Sequence, residues 1–334
     1  MEPPSVKVND LDRSSAPAGS RMQDRSAKIF RRTDQREAFS PDSCGRSRDE
    51  TAGRPLNVIN KFAGRCGKCG QRVAAGAGQA LRIGGGWSSF HDACAPVQTA
   101  PPVRNHRGWH DMPVVGFDIE GTDPEPQDTR IVTAALVYAD GTARTWLIDP
   151  GVPIPAGATA IHGITDEMVR DAGASPREAL AELGIEIAKL IADSTPLVAF
   201  CAHYDVTALH TELARHGLPA VEWERAIIVD PSILHAEVEP RWTNRRQLGD
   251  LCGFYEVELA TAHDAVSDAK AAAGMAVSIA ARHERIALMR PDDLHRAQVT
   301  WYAEQKRDLQ AYYDKQGRDV SVSLEWPLET KRRR

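Results

Sequence analysis

From Pro113 onward the chain reads as short apolar runs separated by turns, and the first run ends on two carboxylates. Val114-Val115-Gly116-Phe117 reads as a buried strand that stops at Asp118, with Glu120 two residues on. Ile131 to Tyr138 reads as a second strand and Thr145 to Ile148 as a third. The Asp140-Gly141 pair between them tolerates the positive φ that tight hairpins need. Three antiparallel strands therefore open the domain. Helices and strands then alternate. Ser175-Pro176-Arg177-Glu178 reads as a capping box with Pro at the first helical position, followed by Leu180, Leu183, Ile187, Leu190 and Ile191 at helical spacing. Leu197 to Phe200 reads as a strand, Val206 to His216 as a helix, Ala226 to Val229 as a strand and Asp264 to His283 as an Ala-rich helix. The order predicts an α/β domain, a mixed sheet flanked by helices. In such sheets ligand chemistry gathers at the C-terminal ends of strands.

The rest of the chain is organised around that domain. Residues 1–55 carry Ser, Arg, Asp, Pro and Gly without apolar periodicity and read as a disordered tail. Residues 56–98 form a Gly-rich, Cys-containing module, 99–112 a linker, 113–290 the main domain and 291–334 a C-terminal helical extension with a basic tail. Within the extension, 291–317 reads as a helix with Trp301, Tyr302, Leu309 and Tyr312 packed along one side. Leu248 and Leu251 read as core residues of a further amphipathic helix. The net charge of -5 conceals a division. Residues 1–110 hold 18 basic and 10 acidic residues, and 111–334 hold 23 and 36. The low aromatic share, 6%, argues against an aromatic-rich sandwich. No apolar stretch is long enough for a membrane span, and the first residues lack a signal-peptide core. A soluble, cytoplasmic protein without membrane contact is expected.

Asp118 and Glu120 lie two apart in an extended segment, so both side chains leave the same side. Two such charges close together are unfavourable unless a cation neutralises them, and hard oxygen donors suit Mg²⁺ or Mn²⁺. A surface turn with two acids is the plainer account of that pair taken alone. Asp205 follows the Leu197–Phe200 strand, where it could simply cap a helix. Asp268 lies in the first turns of the Ala-rich helix and could serve its dipole, while His263 just before it could be a loop residue. His162 sits in Ile161-His162-Gly163-Ile164-Thr165, a turn leading to a helix that Thr165 would cap.

Together these pieces resemble the DEDD-type 3′→5′ exonucleases of the histidine (DEDDh) subclass, which have a ribonuclease H-like fold. The epsilon proofreading subunit of bacterial DNA polymerase III and ribonuclease T belong to that group. The matching segments are Phe117 through Thr122, Ile161 through Thr165, Val198 through Asp205, and His263 through Asp268, over roughly residues 113–285. The resemblance implies two Mg²⁺ or Mn²⁺ ions held by Asp118, Glu120, Asp205 and Asp268, with Asp118 bridging both. It implies His263 as general base, His162, Gly121 and Thr122 on the substrate, and 5′-mononucleotides as products. Nucleic acid with a single-stranded or frayed 3′ end is the implied partner, DNA before RNA, and a DNA polymerase is a further one. The departures are Gly121 and Asp123, where the family often has Thr and Gly, and Cys201 where it usually has Asn. The other reading is an inactive nuclease fold that binds nucleic acid or a polymerase.

Cys66-Gly67-Lys68-Cys69 and His91-Asp92-Ala93-Cys94 offer four soft or borderline ligands in two close pairs, as tetrahedral structural Zn²⁺ requires. A redox C-x-x-C would need a βαβ context that is missing here. Segment 61–97 resembles zinc ribbon or treble-clef modules, and Arg65, Lys68, Arg72 and Arg82 make it basic. Nucleic-acid docking and protein contact are both open to it, the first being favoured by its charge.

Overall fold

The computed structural model describes residues 60–330 apart from 84–85, 96–98, 241 and 243–244. The expected tail over 1–55 and the basic end at 331–334 lie outside the described residues.

The N-terminal module is built from two hairpins. β1 (Gly64–Arg65) pairs antiparallel with β2 (Arg72–Val73), and β3 (Gln79–Ile83) with β4 (Gly86–Phe90). An isolated parallel bridge from Cys66 to Ser89 joins the hairpins. The module's core cluster is small: Cys66, Val73, Leu81 and Phe90, with Cys94 and Ala95 against it.

The main domain holds a five-stranded sheet in the order β7-β6-β5-β8-β9. β5 (Val115–Gly121), β6 (Ile131–Val137) and β7 (Ala143–Leu147) are antiparallel neighbours. β8 (Leu197–Val198) and β9 (Ile228–Val229) run parallel to β5. The predicted hairpin turn is present: Tyr138 N–H donates to the Thr142 carbonyl, and Gly141 sits at φ 87°. The register of β5 on β6 shifts between Glu120 and Gly121, a bulge that re-aims the strand end. Helices α1 (Ala156–His162), α2 (Asp166–Ala172) and α3 (Pro176–Ala192) follow β7. α4 (Ala202–Arg215) follows β8, and α5 (Pro231–Val238) follows β9. Then come α6 (Leu248–Tyr255), α7 (Ala265–Arg282), α8 (Glu284–Ala287) and α9 (Pro291–Lys315).

Every residue of β5 is buried, so both faces of this central strand are covered. Val115, Phe117 and Ile119 join the cluster formed with α3 and α4, including Leu183, Ile187, Val206 and Leu209. The alternate residues, Gly116, Asp118 and Glu120, point the other way. On that side α7 lies directly on the strand: a Cβ at Gly116 would stand 2.2 Å from the Ala269 carbonyl oxygen. A glycine below and an Ala-rich helix above make this approach possible. Further along α7, Ala272, Met275, Ala276 and Ile279 pack in a second cluster with α6, α8 and Trp109.

The edge strand β9 is capped by side chains of α9. Ile228 N–H donates to His295 Nδ1, and Gln298 Nε2 donates to the Ile228 carbonyl. These contacts occupy groups that a bare edge would leave open. The chain after α9 folds back onto α4, where Glu329 N–H donates to Thr207 Oγ1 at 2.9 Å. No helix among the described residues is long and apolar enough to cross a membrane.

Four details differ from the sequence reading. Ser175 makes no side-chain cap, although Pro176 does start α3. The strand at Leu197 is short and α4 begins at Ala202, because Cys201 turns the backbone into the left-handed region at φ 63°. Tyr313, not Tyr312, is the buried aromatic at the far end of α9. Eleven residues separate it from Tyr302, close to three whole turns, which keeps both on one stripe. His203, which reads as a solvent-facing residue, is buried with its ring 5.6 Å from that of Tyr302. Gly116→Ala is expected to lower stability by about 1–3 kcal/mol through overpacking. A thermal melt of the variant against the parent chain checks this, and an unchanged melting temperature would contradict the contact.

Candidate functional site

The bulged end of β5, the start of α4 and the start of α7 meet at one place. Glu120 is fully buried, and Asp118, Asp205 and Asp268 are nearly so. Ligating atoms of Glu120, His263 and Asp268 all lie within 4.8 Å of one another. Asp205 Oδ1 accepts a 2.9 Å hydrogen bond from the backbone N–H of Ile119, the residue between Asp118 and Glu120. This bond locks α4 against β5 and excludes the plain helix-cap reading of Asp205, since Cys201 holds the cap position. His263 adopts φ 63°, and its backbone N–H donates to Asp268 Oδ2 at 3.1 Å. A left-handed non-glycine residue costs energy and is held by its surroundings. Here the turn sets the imidazole beside two carboxylates. Asp264 caps α7 through the Ser267 N–H, which leaves Asp268 free of that duty. Cys252 lies behind the site, its thiol pushed up to about 12 by burial and then by the charge of Asp268, so it is no nucleophile. Buried carboxylates gathered this closely are stable only with compensating positive charge, and hard oxygen donors fit a divalent cation.

The three residues expected at the substrate fare differently. Gly121 has no room for a side chain: a Cβ would meet Thr129 Oγ1 at 2.2 Å and the Tyr204 hydroxyl at 2.9 Å. That occupied space is a physical reason for glycine here. Thr122 Oγ1 accepts from Arg130 N–H at 2.9 Å, so its hydroxyl closes the loop back onto β6. His162 ends α1, and its Nδ1 accepts from Ile164 N–H at 3.1 Å. Asp123, the other departure, accepts from Glu125 N–H in a tight turn and receives the Tyr204 hydroxyl on its carbonyl.

Sequence reading missed Asp230. Its carboxylate is buried between two helix starts and accepts from Cys201 N–H (3.1 Å), Ala202 N–H (2.9 Å), Ser232 N–H (2.9 Å) and Ser232 Oγ (2.6 Å). Its own N–H donates to Gln298 Oε1 at 2.7 Å. Burial pushes the Asp230 carboxyl up, and the bonds from Ser232, Cys201 and Ala202 oppose that. The residue thus ties α9 to the left-handed turn at Cys201 and so to the helix that carries Asp205. An Asp-Pro pair at a helix start was the visible signal, but it names only the local cap.

In the N-terminal module, Cys66, Cys69, His91 and Cys94 also bring their ligating atoms within 4.8 Å of one another. His91 Nδ1 stands 3.4 Å from Cys69 Sγ, and its Nε2 lies 3.1 Å from the Arg72 carbonyl. With Nδ1 as ligand, Nε2–H donates to that carbonyl, the support usual for a metal-bound histidine. Burial opposes ionisation of Cys66, yet backbone N–H groups of Cys69, His91 and Lys68 bring its thiol down to about 5. Gly70 turns the knuckle at φ 73°, and Gly67 leaves space for the Phe90 ring. The set of three thiols and one imidazole suits zinc in closed tetrahedral coordination.

Residues 115–276 match the exonuclease family described under the name RNase_T. This segment is similar to exonuclease-family domains. It includes Asp118, Glu120, Asp205, His263 and Asp268 together. Among curated relatives, the chain is 31% identical over 165 residues to a DNA polymerase III of PolC type from Streptococcus sanguinis (strain SK36). It is 29% identical over 167 residues to the PolC-type enzyme of Streptococcus agalactiae serotype III (strain NEM316). Each alignment covers 48% of this chain and 11% of the relative, so the chain spans about a tenth of those polymerases. Among solved structures, E. coli exonuclease I in complex with a dT13 oligonucleotide is similar at TM-score 0.45 and 18% identity, over 60% of this chain and 45% of that one. In this domain Asp230→Ala is expected to cost about 2–4 kcal/mol, because buried backbone donors lose their acceptor. Gln298→Ala should cost about 1 kcal/mol. Urea titration followed by far-ultraviolet circular dichroism measures both, and equal stability of Asp230→Ala and parent would refute the shared-cap role.

Proposed function

We propose that the chain is a metal-dependent 3′→5′ exonuclease that releases 5′-mononucleotides from single-stranded or frayed 3′ ends. The observation that carries this is the meeting of Glu120, Asp268 and His263, with Asp205 bonded to the backbone between Asp118 and Glu120. Asp118, Glu120, Asp205 and Asp268 would hold a pair of Mg²⁺ or Mn²⁺ ions. When bound, such ions neutralise the scissile phosphate and stabilise the attacking and leaving oxygens of an in-line displacement. His263 takes the proton from the attacking water, a task suited to a histidine near neutral pH. Its strained backbone keeps the imidazole oriented toward Glu120 and Asp268. Gly121 lets Thr129 and Tyr204 close over the strand end, Thr122 fixes the loop that follows, and the terminal nucleotide would meet this loop and His162. The similarity to DNA polymerases supports DNA as substrate and a polymerase as partner in trans.

The test is release of mononucleotides from a 3′-labelled single strand with added Mg²⁺ or Mn²⁺. Asp118→Ala and Asp205→Ala should each abolish it. His263→Ala should lower turnover about 10²–10⁴-fold while metal affinity, followed by Mn²⁺ titration, stays near the parent value. Full activity in Asp118→Ala, or release from the 5′ end, would overturn the assignment.

Cys66, Cys69, His91 and Cys94 are assigned a structural zinc ion. The module's core is too small to hold its fold alone. Removing the zinc with a chelator should erase amide protection over 60–95 and leave β5, β6 and β7 protected. Hydrogen exchange with mass spectrometry reads both segments in one experiment, and retained protection over 60–95 would contradict the assignment.

A further inference from the structure

The N-terminal module leaves two of its three aromatic side chains outside its core. Phe62 is 81% exposed and Trp87 64%. Among the described residues, the buried hydrophobic core of the module is Cys66, Val73, Leu81 and Phe90. Elsewhere Trp109, Trp146, Trp223 and Trp326 are buried. A small module short of apolar residues gains stability by burying a Phe and a Trp, so their exposure asks for an occupant.

Both aromatics lie on segments that meet at Ser89. Trp87 lies two residues before it in β4 and so shares its face of the strand. Phe62 lies midway between Asn60 and Gly64. Ser89 Oγ donates to Asn60 Oδ1 at 2.9 Å, and a Cβ at Gly64 would stand 2.8 Å from the same Oγ. The segment that carries Phe62 therefore runs along the face of β4 that carries Trp87. Around it the charge is one-sided: residues 60–95 contain Lys61, Arg65, Lys68, Arg72 and Arg82 against Asp92 alone. Lys61, Arg65, Lys68 and Arg72 are exposed.

Exposed rings set among cations are what a single strand requires: base faces stack on the aromatics while phosphates neutralise the lysines and arginines. A purely apolar protein partner would leave the cations uncompensated. We infer that Phe62 and Trp87 form a stacking surface for single-stranded nucleic acid, a second contact outside the catalytic site. The choice of nucleic acid rests in part on the exonuclease reading; the surface itself does not. The module would retain a strand whose 3′ end is being shortened.

The full, zinc-loaded chain carrying Asp118→Asn is titrated into a fluorescein-labelled oligothymidylate of about twenty nucleotides. Trp87→Ala and Phe62→Ala should each weaken binding about tenfold, and Trp87→Phe should restore most of it. Lys61→Gln with Lys68→Gln should flatten the salt dependence of binding by about two in log–log slope. Zinc content per chain reports whether a variant keeps its module; if an alanine variant loses zinc, Trp87→Phe and the lysine pair decide the matter. Unchanged oligothymidylate affinity in zinc-replete alanine variants overturns the inference. So does a change in oligomeric state by light scattering without a change in affinity, which would make the surface a protein contact. If the parent chain hydrolyses no strand at all, the exonuclease reading fails, yet this binding experiment still tests the surface.

Discussion

The contact between Gly116 of β5 and Ala269 of α7 is the constraint from which the site's geometry follows. Where a strand and a helix pack through ordinary side chains, their axes stand about 10 Å apart. Here no side chain intervenes, so the first turn of α7 comes down beside the strand's end. Two residues beyond Gly116 on the same face is Asp118, and two further is Glu120. One residue before Ala269 is Asp268. The close approach thus converts sequence neighbours into spatial ones: Gly116 with Ala269, Glu120 with Asp268 and His263. A larger residue at Gly116 would wedge the helix away and separate the carboxylates.

The opposite face of the same strand depends on a second, longer-range arrangement. Asp205 reaches the Ile119 N–H only because α4 starts immediately after a left-handed residue, and that start is held by Asp230. Asp230 is in turn held by Gln298, which also ties the edge strand β9 to α9. Glu329 then anchors the chain's last described turn to Thr207 on α4, and Gln127 donates to its carbonyl from the loop behind β5. The helix that carries one acidic ligand candidate is therefore fixed at its start from one side and along its length from another. Such bracing suits a site in which carboxylates must be kept close against their mutual repulsion.

What could be read from residues alone followed the range of the interaction. β5 was legible because Val115, Phe117 and Ile119 alternate with residues that end in two acids, a pattern contained in seven positions. The Asp140-Gly141 turn and the Thr165 cap were legible for the same reason, each being a local hydrogen-bonding preference. The four acids and His263 could be grouped because they stand in a recognisable order. Asp230 could not, since its partners at Cys201 and Gln298 are 29 and 68 residues away. His203 was misjudged because only the placement of Tyr302 on α9 covers it. The Ser175 cap failed for a different reason: Pro176 alone suffices to start α3, so the side-chain bond was dispensable.

The uneven charge of the chain also takes on a physical sense. A domain with a surplus of carboxylates has a surface field that repels phosphate, whatever its affinity at contact. Screening confines that repulsion to about 8–10 Å at physiological salt, so a basic surface elsewhere on the chain is not cancelled by it. On the proposed reading, the basic module would carry the attraction to phosphate on a separate small fold whose four clustered Cys and His side chains would hold zinc and supplement a small core. Freed from burying its rings, it can spend Phe62 and Trp87 on its surface. Separation of the two tasks would remove a conflict that a single domain faces, since cationic side chains placed among Asp118, Glu120, Asp205 and Asp268 would compete with the metal ions proposed to bind there.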